Sequence, residues 1–546
     1  MSIVDWLVFI GTLVGILAYG IWRGRGQDHA DAYLRADRSL PWYVVLLGVM
    51  ATQASAITFL SAPGQAYADG MRFVQYYFGL PIAMVVISVT FVPIFRRLNV
   101  YTAYEYLEQR FDRKTRVLTS VLFLVSRGLS TGISIYAPSI IVSSIFGWNI
   151  YLTNVIVGGL LLLYTVRGGA RAVAHTQTIM FGIILAAMVC AGLVLAGAFP
   201  EGMSFADVLH VAGASGSLNV ITTSWDLHDR YNLVSGIVGG FFLALSYFGT
   251  DQSQVGRFIT GKNIDDSRRG LLLNGIVKIP MQFGILFIGA LLVAFYSVLP
   301  SPLFFNPNAL ERVRSERPDT VAVLESNWQA AQEDLSKATA TMLATGDRAD
   351  FDAARAATKR IRTDLRGVME REGIAERNDT NYVFLHFVRT TLPAGLVGLI
   401  FAVVILASWG SISAAFHALA TASLVDLDAG GMKDGTVDRA RWHTFGWGIF
   451  CILVSMVATR MGSLIEAVNV LGSLFYGPIL GIFLVAFYVR RAGGHAVSTA
   501  AIVAEVVVVA CYAFDVVGFL WLNVIGAGVV VAVAWGMRLY PARTRH

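Results

Sequence analysis

The stretch ILASWGSISAAFHALATASLVDL, residues 405–427, continues an apolar run yet carries Ser408, Ser411, Ser413, Thr421 and Ser423, with Gly410 and His417 among them. Ser408 and Ser411 are three residues apart, so on a helix they share a face. Where water is scarce, such hydroxyls are suited to ligate a hard cation such as sodium, together with backbone carbonyls freed at a helix break. Two stretches have the small and polar residues that a break needs: LLGVMATQASAITFLSAPGQAYADG, from residue 46, and GIVGGFFLALSYFGTDQSQVGRF, from residue 236. An unwound backbone in hydrocarbon costs several kcal/mol per unsatisfied group, so it persists only facing protein, water or an ion. The opposing reading of the hydroxyls is that they bond back to their own helix and only pack.

The ionisable residues add a second set of candidates. Arg127, Lys278 and Arg389 stand inside or at the edge of apolar runs, where a charge costs ~2.5–3.5 kcal/mol even on the insertion scale. Arg127 must face the bundle interior, paired with Asp251 or Glu466, as a structural ion pair or as part of a gate. Lys278 either neutralises an anionic solute or anchors a vestibule. His417 is a packing histidine or, with an unperturbed pKa near ~6.5, a proton carrier.

Elements must position these residues, and the composition says which kind. The 546 residues are 55% hydrophobic and 14% charged, with mean hydropathy +0.62. Runs of about 20 apolar residues recur along the chain, the signature of membrane helices. The reading is an all-α polytopic membrane protein with about 13 spans, near 3–22, 41–62, 73–95, 117–145, 150–166, 177–198, 232–250, 270–298, 392–426, 442–459, 464–489, 495–515 and 518–537. They are numbered 1 to 13 below. The first run lacks a basic leader and a cleavage site, so it is expected to be retained. Cys190, Cys451 and Cys511 lie in apolar runs and fit no zinc or disulfide pattern.

With the N-terminus outside, the short inner loops hold 24 Lys and Arg, and the short outer loops hold only Arg72, Arg230 and Arg460. This is the positive-inside pattern. It predicts a multi-pass plasma (inner) membrane protein with a cytoplasmic C-terminus. It also assigns the net charge of +6 to the lipid surface rather than to nucleic acid.

Residues 305–380 break the pattern, with 12 Lys/Arg and 14 Asp/Glu. Val321, Leu324, Trp328, Ala331, Leu335, Ala338 and Met342 repeat at helical spacing, and Phe351, Ala354, Ile361, Leu365 and Val368 resume the pattern, with Thr358 in one seam slot. This predicts an extracytoplasmic helical hairpin inserted between residues 1–304 (spans 1–8) and 381–546 (spans 9–13). It serves as a solvated spacer, or as a docking place for an extracytoplasmic partner. Spans 2–6 (about 41–198) and spans 7–11 (from about 232) each begin with a break-prone segment. A five-span unit repeated in tandem has inverted topology, and two broken helices then meet at mid-membrane.

At this point the segments MATQASAITFLSAPGQAYADGMRFVQYYFGLP, YTVRGGARAVAHTQT, LSYFGTDQSQVGRFITGK, GIVKIPMQF and SISAAFHALATASLVDL resemble the sodium:solute symporter family. This is the family of sodium/glucose, proline, pantothenate and multivitamin transporters. The matches fall in order from span 2 to span 9, and the likeness covers nearly the whole chain except 305–380.

The resemblance implies a leucine-transporter-like (LeuT-like) 5+5 inverted repeat and sodium-coupled uptake of a small organic solute of sugar, carboxylate, amino acid or vitamin type. Sodium serves as coupling ion and there is no other cofactor. The implied sodium ligands are the carbonyls of Ala51, Ala54 and Ala407 and the hydroxyl of Ser411, with Ser408 compensating for Gly410, where relatives carry a hydroxyl. The implied solute contacts are Thr58, Tyr77, Tyr247, Lys278 and Asn469, with Ala244 at a further matched position. Arg127, Asp251 and His417 are assigned to gating or coupling. Gln177 replaces an acid that some relatives link to a second sodium, which implies at most one sodium here. The departures keep two alternatives open: a proton-coupled or uncoupled transporter, and a non-transporting receptor on the same fold. No enzyme motif is present.

Overall fold

The computed structural model describes residues 1–23, 40–98, 100–167, 170–374, 376–428, 436–461 and 463–539. Arg25, Arg35, Arg38, Lys433, Arg543 and Arg545, counted above among the loop cations, lie outside these. Among the described residues the fold is all-helical, with one isolated parallel bridge between Leu40 and Gly261 and no strand.

Helices occupy every one of the thirteen expected segments. Among the described residues nine are long and apolar enough to cross a membrane on their own, and a bent pair makes ten. The count of thirteen therefore exceeds what length and composition establish. The differences have local causes. The helices Ile150–Leu163 and Ser235–Thr250 are apolar but short. The helix Thr436–Ser455 opens on the polar sequence TVDRARWHT.

Span 2 is broken as its sequence predicts. Trp42–Gln53 ends before Ala54, and a π-helical turn, Ile57–Ser61, leads into Ala62–Asp69. The two halves meet at 62°. Span 7 also divides, at the end of its membrane-spanning helix: Gly240–Thr250 stops at Asp251, which has extended backbone, and Gln252–Phe258 begins. The Asp251 carboxylate accepts the Ser253 N–H at 2.8 Å and caps the second half. The sequence predicts a break at mid-depth; the interruption lies instead at the end of the span, where Asp251 caps the next helix, and among the described residues span 2 alone is sharply bent within its length.

The long spans 4 (Arg113–Phe146), 8 (Ile264–Val298) and 11 (Leu464–Tyr488) each carry an internal proline, at 138, 280 and 478. Neighbouring helices make such prolines tolerable in a bundle. Span 9, Leu396–Ala422 with a π-helical end Ser423–Leu427, is buried almost throughout. It packs against spans 1, 4 and 6 and against the first half of span 2. Backbones approach closely between span 7 and the start of span 3. A Cβ at Gly240 would stand 2.4 Å from the Tyr76 carbonyl oxygen, and one at Gly79 would stand 2.1 Å from the Phe241 nitrogen.

The inserted segment forms three helices, Pro307–Glu316, Pro318–Thr345 and Ala349–Arg371. The last two pair as a hairpin, turning at Gly346 in the left-handed region. Val321, Trp328, Leu335, Met342, Phe351, Leu365 and Val368 are buried as the periodicity predicts. Thr339 takes the slot expected for Ala338, its hydroxyl satisfied by the Leu335 carbonyl at 2.7 Å. The hairpin is tied to the bundle. Arg355 donates to the Ser215 carbonyl at 2.8 Å, and Trp328 Nε1 donates to the Ser301 carbonyl at 2.8 Å.

Candidate functional site

The break in span 2 releases backbone groups. The Ser55 N–H bonds the Gln53 carbonyl at 3.0 Å, not the Ala51 carbonyl four residues back, and the Thr58 hydroxyl also donates to the Gln53 carbonyl, at 3.1 Å. Ala51, Ala54 and Ala407 are all buried, and the helices that carry them touch. On span 9 the Ser411 hydroxyl donates to the Ser408 carbonyl at 3.1 Å, and Ser408 donates to the Val404 carbonyl at 3.0 Å. Each hydroxyl has spent its proton on its own helix. Its oxygen lone pairs remain, which is the half that a cation uses.

Gly410 sits against Gln177 of span 6. A Cβ there would stand 2.9 Å from Gln177 Cγ and 3.3 Å from its Nε2. The Gln177 side chain thus fills the room that a hydroxyl-bearing side chain at 410 would need. Gln177 is 1% exposed, and neither of its amide atoms has a hydrogen-bond partner among the described residues. The glycine and the glutamine, which the sequence offers as two separate departures, form one packed pair.

Beside the break lies a cavity of about 140 Å³. Thr58, Tyr77, Tyr247, Lys278, Asn469, Arg127 and Ser411 all line it, as does Ala244. Ala51, Ala54, Ala407, Ser408, Asp251 and His417 are not part of this lining. His417 is half-buried one and a half turns along span 9 from Ser411, and its carbonyl accepts the Thr421 hydroxyl at 2.7 Å.

Arg127 of span 4 pairs with Asp251 at 3.3 Å and also donates to the Ser253 hydroxyl. Asp251 in turn accepts the Tyr476 hydroxyl of span 11 at 3.2 Å. Spans 4, 7 and 11 are thereby joined at the span 7 break. The Arg127 guanidinium lies over the Tyr247 ring, 5.5 Å from its centroid. Glu466, the other partner considered for Arg127, is engaged by Arg230 instead. Arg389 belongs to the short helix Val383–Thr391, outside the apolar spans, and donates to the Ser144 hydroxyl at 2.9 Å.

Lys278 differs from Arg127. It is 1% exposed, its Nζ lies 5.5 Å from the Tyr77 ring centroid, and it has no ion pair among the described residues. No Asp or Glu lines the cavity. Arg127 is neutralised from behind, so Lys278 is left as the basic side chain on the cavity wall without an ion pair among the described residues.

Sequence reasoning missed Gln53, Tyr76 and Tyr476 as lining residues. Tyr76 donates to Asn469 Oδ1 at 3.1 Å and packs edge-on to Tyr77 at 4.6 Å. Here Met71–Tyr77 is a 3-10 stretch, and both rings reach the cavity. The pair YY beside a break was the available signal.

A bundle with a sharply bent span, a second interrupted span and a polar cavity between them has the architecture of a secondary transporter. The model of the sodium:solute symporter family matches residues 33–323, and the chain belongs to that family. It is 26% identical over 508 residues to a sodium-dependent multivitamin transporter of Oryctolagus cuniculus, a match spanning 89% of this chain and 66% of that protein. It is 25% identical over 486 residues to sodium-coupled monocarboxylate transporter 1 of Homo sapiens, spanning 88% of this chain and 68% of that one. The chain thus spans about two thirds of the length of these two relatives. The fold matches the solved structure of a Na+-coupled sialic acid symporter with TM-score 0.77 at 20% identity, over 98% of each chain. The fold is accordingly of the leucine-transporter-like class.

Proposed function

We propose that this protein couples the inward movement of sodium to uptake of a small carboxylate-bearing organic solute by alternating access. The observation that carries the choice of solute is Lys278, a buried basic side chain on a cavity with no lining carboxylate among the described residues. A buried unpaired charge is costly, and an anionic solute removes that cost on binding. Tyr77 and Tyr247 offer flat apolar walls, and Thr58, Asn469 and Gln53 offer hydrogen bonds to the rest of the solute. The monocarboxylate and sialic acid relatives are named for acids, which agrees with this choice.

Sodium is a transported substrate here. Its proposed ligands are the carbonyls of Ala51, Ala54 and Ala407 and the hydroxyls of Ser411 and Ser408. The freed Ala51 carbonyl and the donor-spent hydroxyls fit a small hard cation. Ser411 lies both in this set and on the cavity wall, so ion and solute share an element. A sodium that orders the span 2 break preorganises Thr58 and shifts the population toward the solute-binding state. The Arg127–Asp251–Tyr476 network is proposed to hold the span 7 break against spans 4 and 11 through the cycle.

The chain is read as crossing the plasma membrane thirteen times. The three shorter or less apolar helices are included in that count. The N-terminus and the hairpin lie on the outer side and the C-terminus is cytoplasmic, as the loop cations support. Uptake of a labelled carboxylate series and of sialic acid into proteoliposomes, with and without an inward sodium gradient, tests the reading. Sodium-stimulated uptake of at least one acid, with neutral sugars excluded, is expected. Uptake of neutral sugars in preference to acids would overturn the solute class.

A further inference from the structure

A second cavity, of about 600 Å³, lies between the hairpin and the bundle. It shares span 2 with the first: Thr58 lines the central cavity, and Tyr67, nine residues further along the same span, lines the second. At ~1.5 Å per residue that is roughly 14 Å.

The wall formed by the second hairpin helix carries Arg355, Lys359, Arg362 and Arg366. Their spacing of four, three and four puts them on one helix face. The lining carboxylates are Asp69, Asp352 and Asp379, and each is already engaged. Asp379 is held by Arg366 at 3.4 Å and Arg362 at 3.9 Å and accepts the Phe305 N–H at 2.8 Å. Asp69 pairs with Arg72 at 2.9 Å, and Asp352 with Arg348 at 3.7 Å. Four lining cations plus Arg72 and Arg348 make six against four carboxylates, Asp229 being the second partner of Arg72 at 3.0 Å. The surplus falls on Arg355, which donates to the Ser215 carbonyl, lies over the Phe351 ring at 5.7 Å and has no ion pair within 4 Å among the described residues, and on Lys359, which likewise has none.

Arg362 is held in place for a ligand. It donates to the Pro302 carbonyl at 3.0 Å, and its guanidinium lies 4.7 Å from the Phe305 ring centroid and 4.8 Å from that of Trp328. Its Nε–H is buried without an acceptor among the described residues. A guanidinium fork suits a carboxylate, a basic cleft with low-dielectric walls focuses the field on an anion, and Trp328 and Tyr296 supply an apolar wall for the organic part.

We propose that this cavity is a second binding site for small organic carboxylates, a vestibule in which the hairpin collects the solute beside the broken span. The proposal rests on the reading that the solute is a carboxylate, but its binding is measurable without transport.

The test uses purified full-length protein, propionate as probe and Trp328 as reporter, its signal taken as wild type minus Trp328→Phe. Saturable quenching by propionate is expected in wild type and in Lys278→Met, which disables only the central site. Arg355→Gln/Lys359→Gln is expected to weaken it by about fivefold or more, the scale of removing two close charges. Arg355→Lys/Lys359→Arg is expected to retain it, which separates loss of charge from loss of fold. Absence of saturable quenching in wild type, or an unchanged affinity in the double glutamine variant, overturns the site. Equal quenching by chloride or phosphate at the same concentration overturns the carboxylate assignment. Failure of sodium-driven carboxylate uptake with the Trp328 signal intact overturns the transport reading and supports this one.

Discussion

Lys278 carries the solute assignment, and its removal should be read in kinetics rather than in stability. Truncating one partner of a buried charge pair costs about 2–5 kcal/mol, a factor of ~30 or more. Lys278→Met is therefore expected to raise KM for a carboxylate by at least that factor, with Lys278→Arg retaining most of the affinity; concentration-dependent uptake checks this. The Gly410–Gln177 pair gives a second expectation. Gly410→Ser forces a Cβ to within 2.9 Å of Gln177 Cγ, and overpacking costs about 1–3 kcal/mol. The single variant should melt lower. Gly410→Ser/Gln177→Ala should regain the loss and need less sodium for half-saturation, as thermal unfolding and sodium titration would show. Thr58, Tyr77, Tyr247, Lys278 and Ser411 were legible because they sit in motifs, and Asn469 through the family resemblance; all line the cavity. Gln53, Tyr76 and Tyr476 were not legible: Gln53 ends the helix at the span 2 break, Tyr76 lies in a 3-10 stretch, and Tyr476 stands in a regular helix outside the quoted motifs.

Among the elements, the close approach of span 7 to the start of span 3 is a tight constraint on the site. Tyr76 and Tyr77 belong to one side of that contact and Ala244 and Tyr247 to the other. Gly240→Ala puts a Cβ at 2.4 Å from the Tyr76 carbonyl oxygen, so the backbones must part. A loss of about 1–3 kcal/mol is expected, together with a weaker solute affinity because the two walls of the cavity separate. Thermal unfolding and uptake KM measured on the same variant check both. The thirteen helical segments and the broken span 2 follow from apolar runs and small-polar interruptions. The exact break residue in span 7 does not, because an aspartate reads as cap or as ion-pair partner until both roles are seen at Asp251. In the hairpin, periodicity located the seam but not the one-residue shift from Ala338 to Thr339. A threonine can bond its own helix carbonyl and so enter a buried slot that polarity alone would deny it.

On the scale of the whole molecule, the hairpin and the bundle are one packed body, and their junction is pH-sensitive. His386, on the short helix Val383–Thr391, meets the Tyr296 hydroxyl at 2.9 Å. Burial, and then the nearby Arg389 and Arg362, push its pKa down to about 4 from its usual value. Between that value and ~6.5 the unfolded chain binds the proton that the folded one refuses. Stability therefore rises with pH across this window, and it is lost as pH falls from about 6.5 to about 4. The melting temperature should drop on acidification through that range, and less so in His386→Gln. Chain-wide charge asymmetry and the tandem five-span pattern made the membrane class and the repeat legible. Contact between hairpin and bundle was not, since no local pattern encodes it.

The central claim is that the oxygens at the span 2 break and on span 9 bind the ion that drives solute uptake. The most direct measurement is the sodium concentration for half-maximal carboxylate uptake in wild type and Ser411→Ala. An increase of about tenfold, the scale of one lost ligand, with KM for the solute restored at saturating sodium, is the predicted result. An unchanged sodium dependence in Ser411→Ala would contradict it.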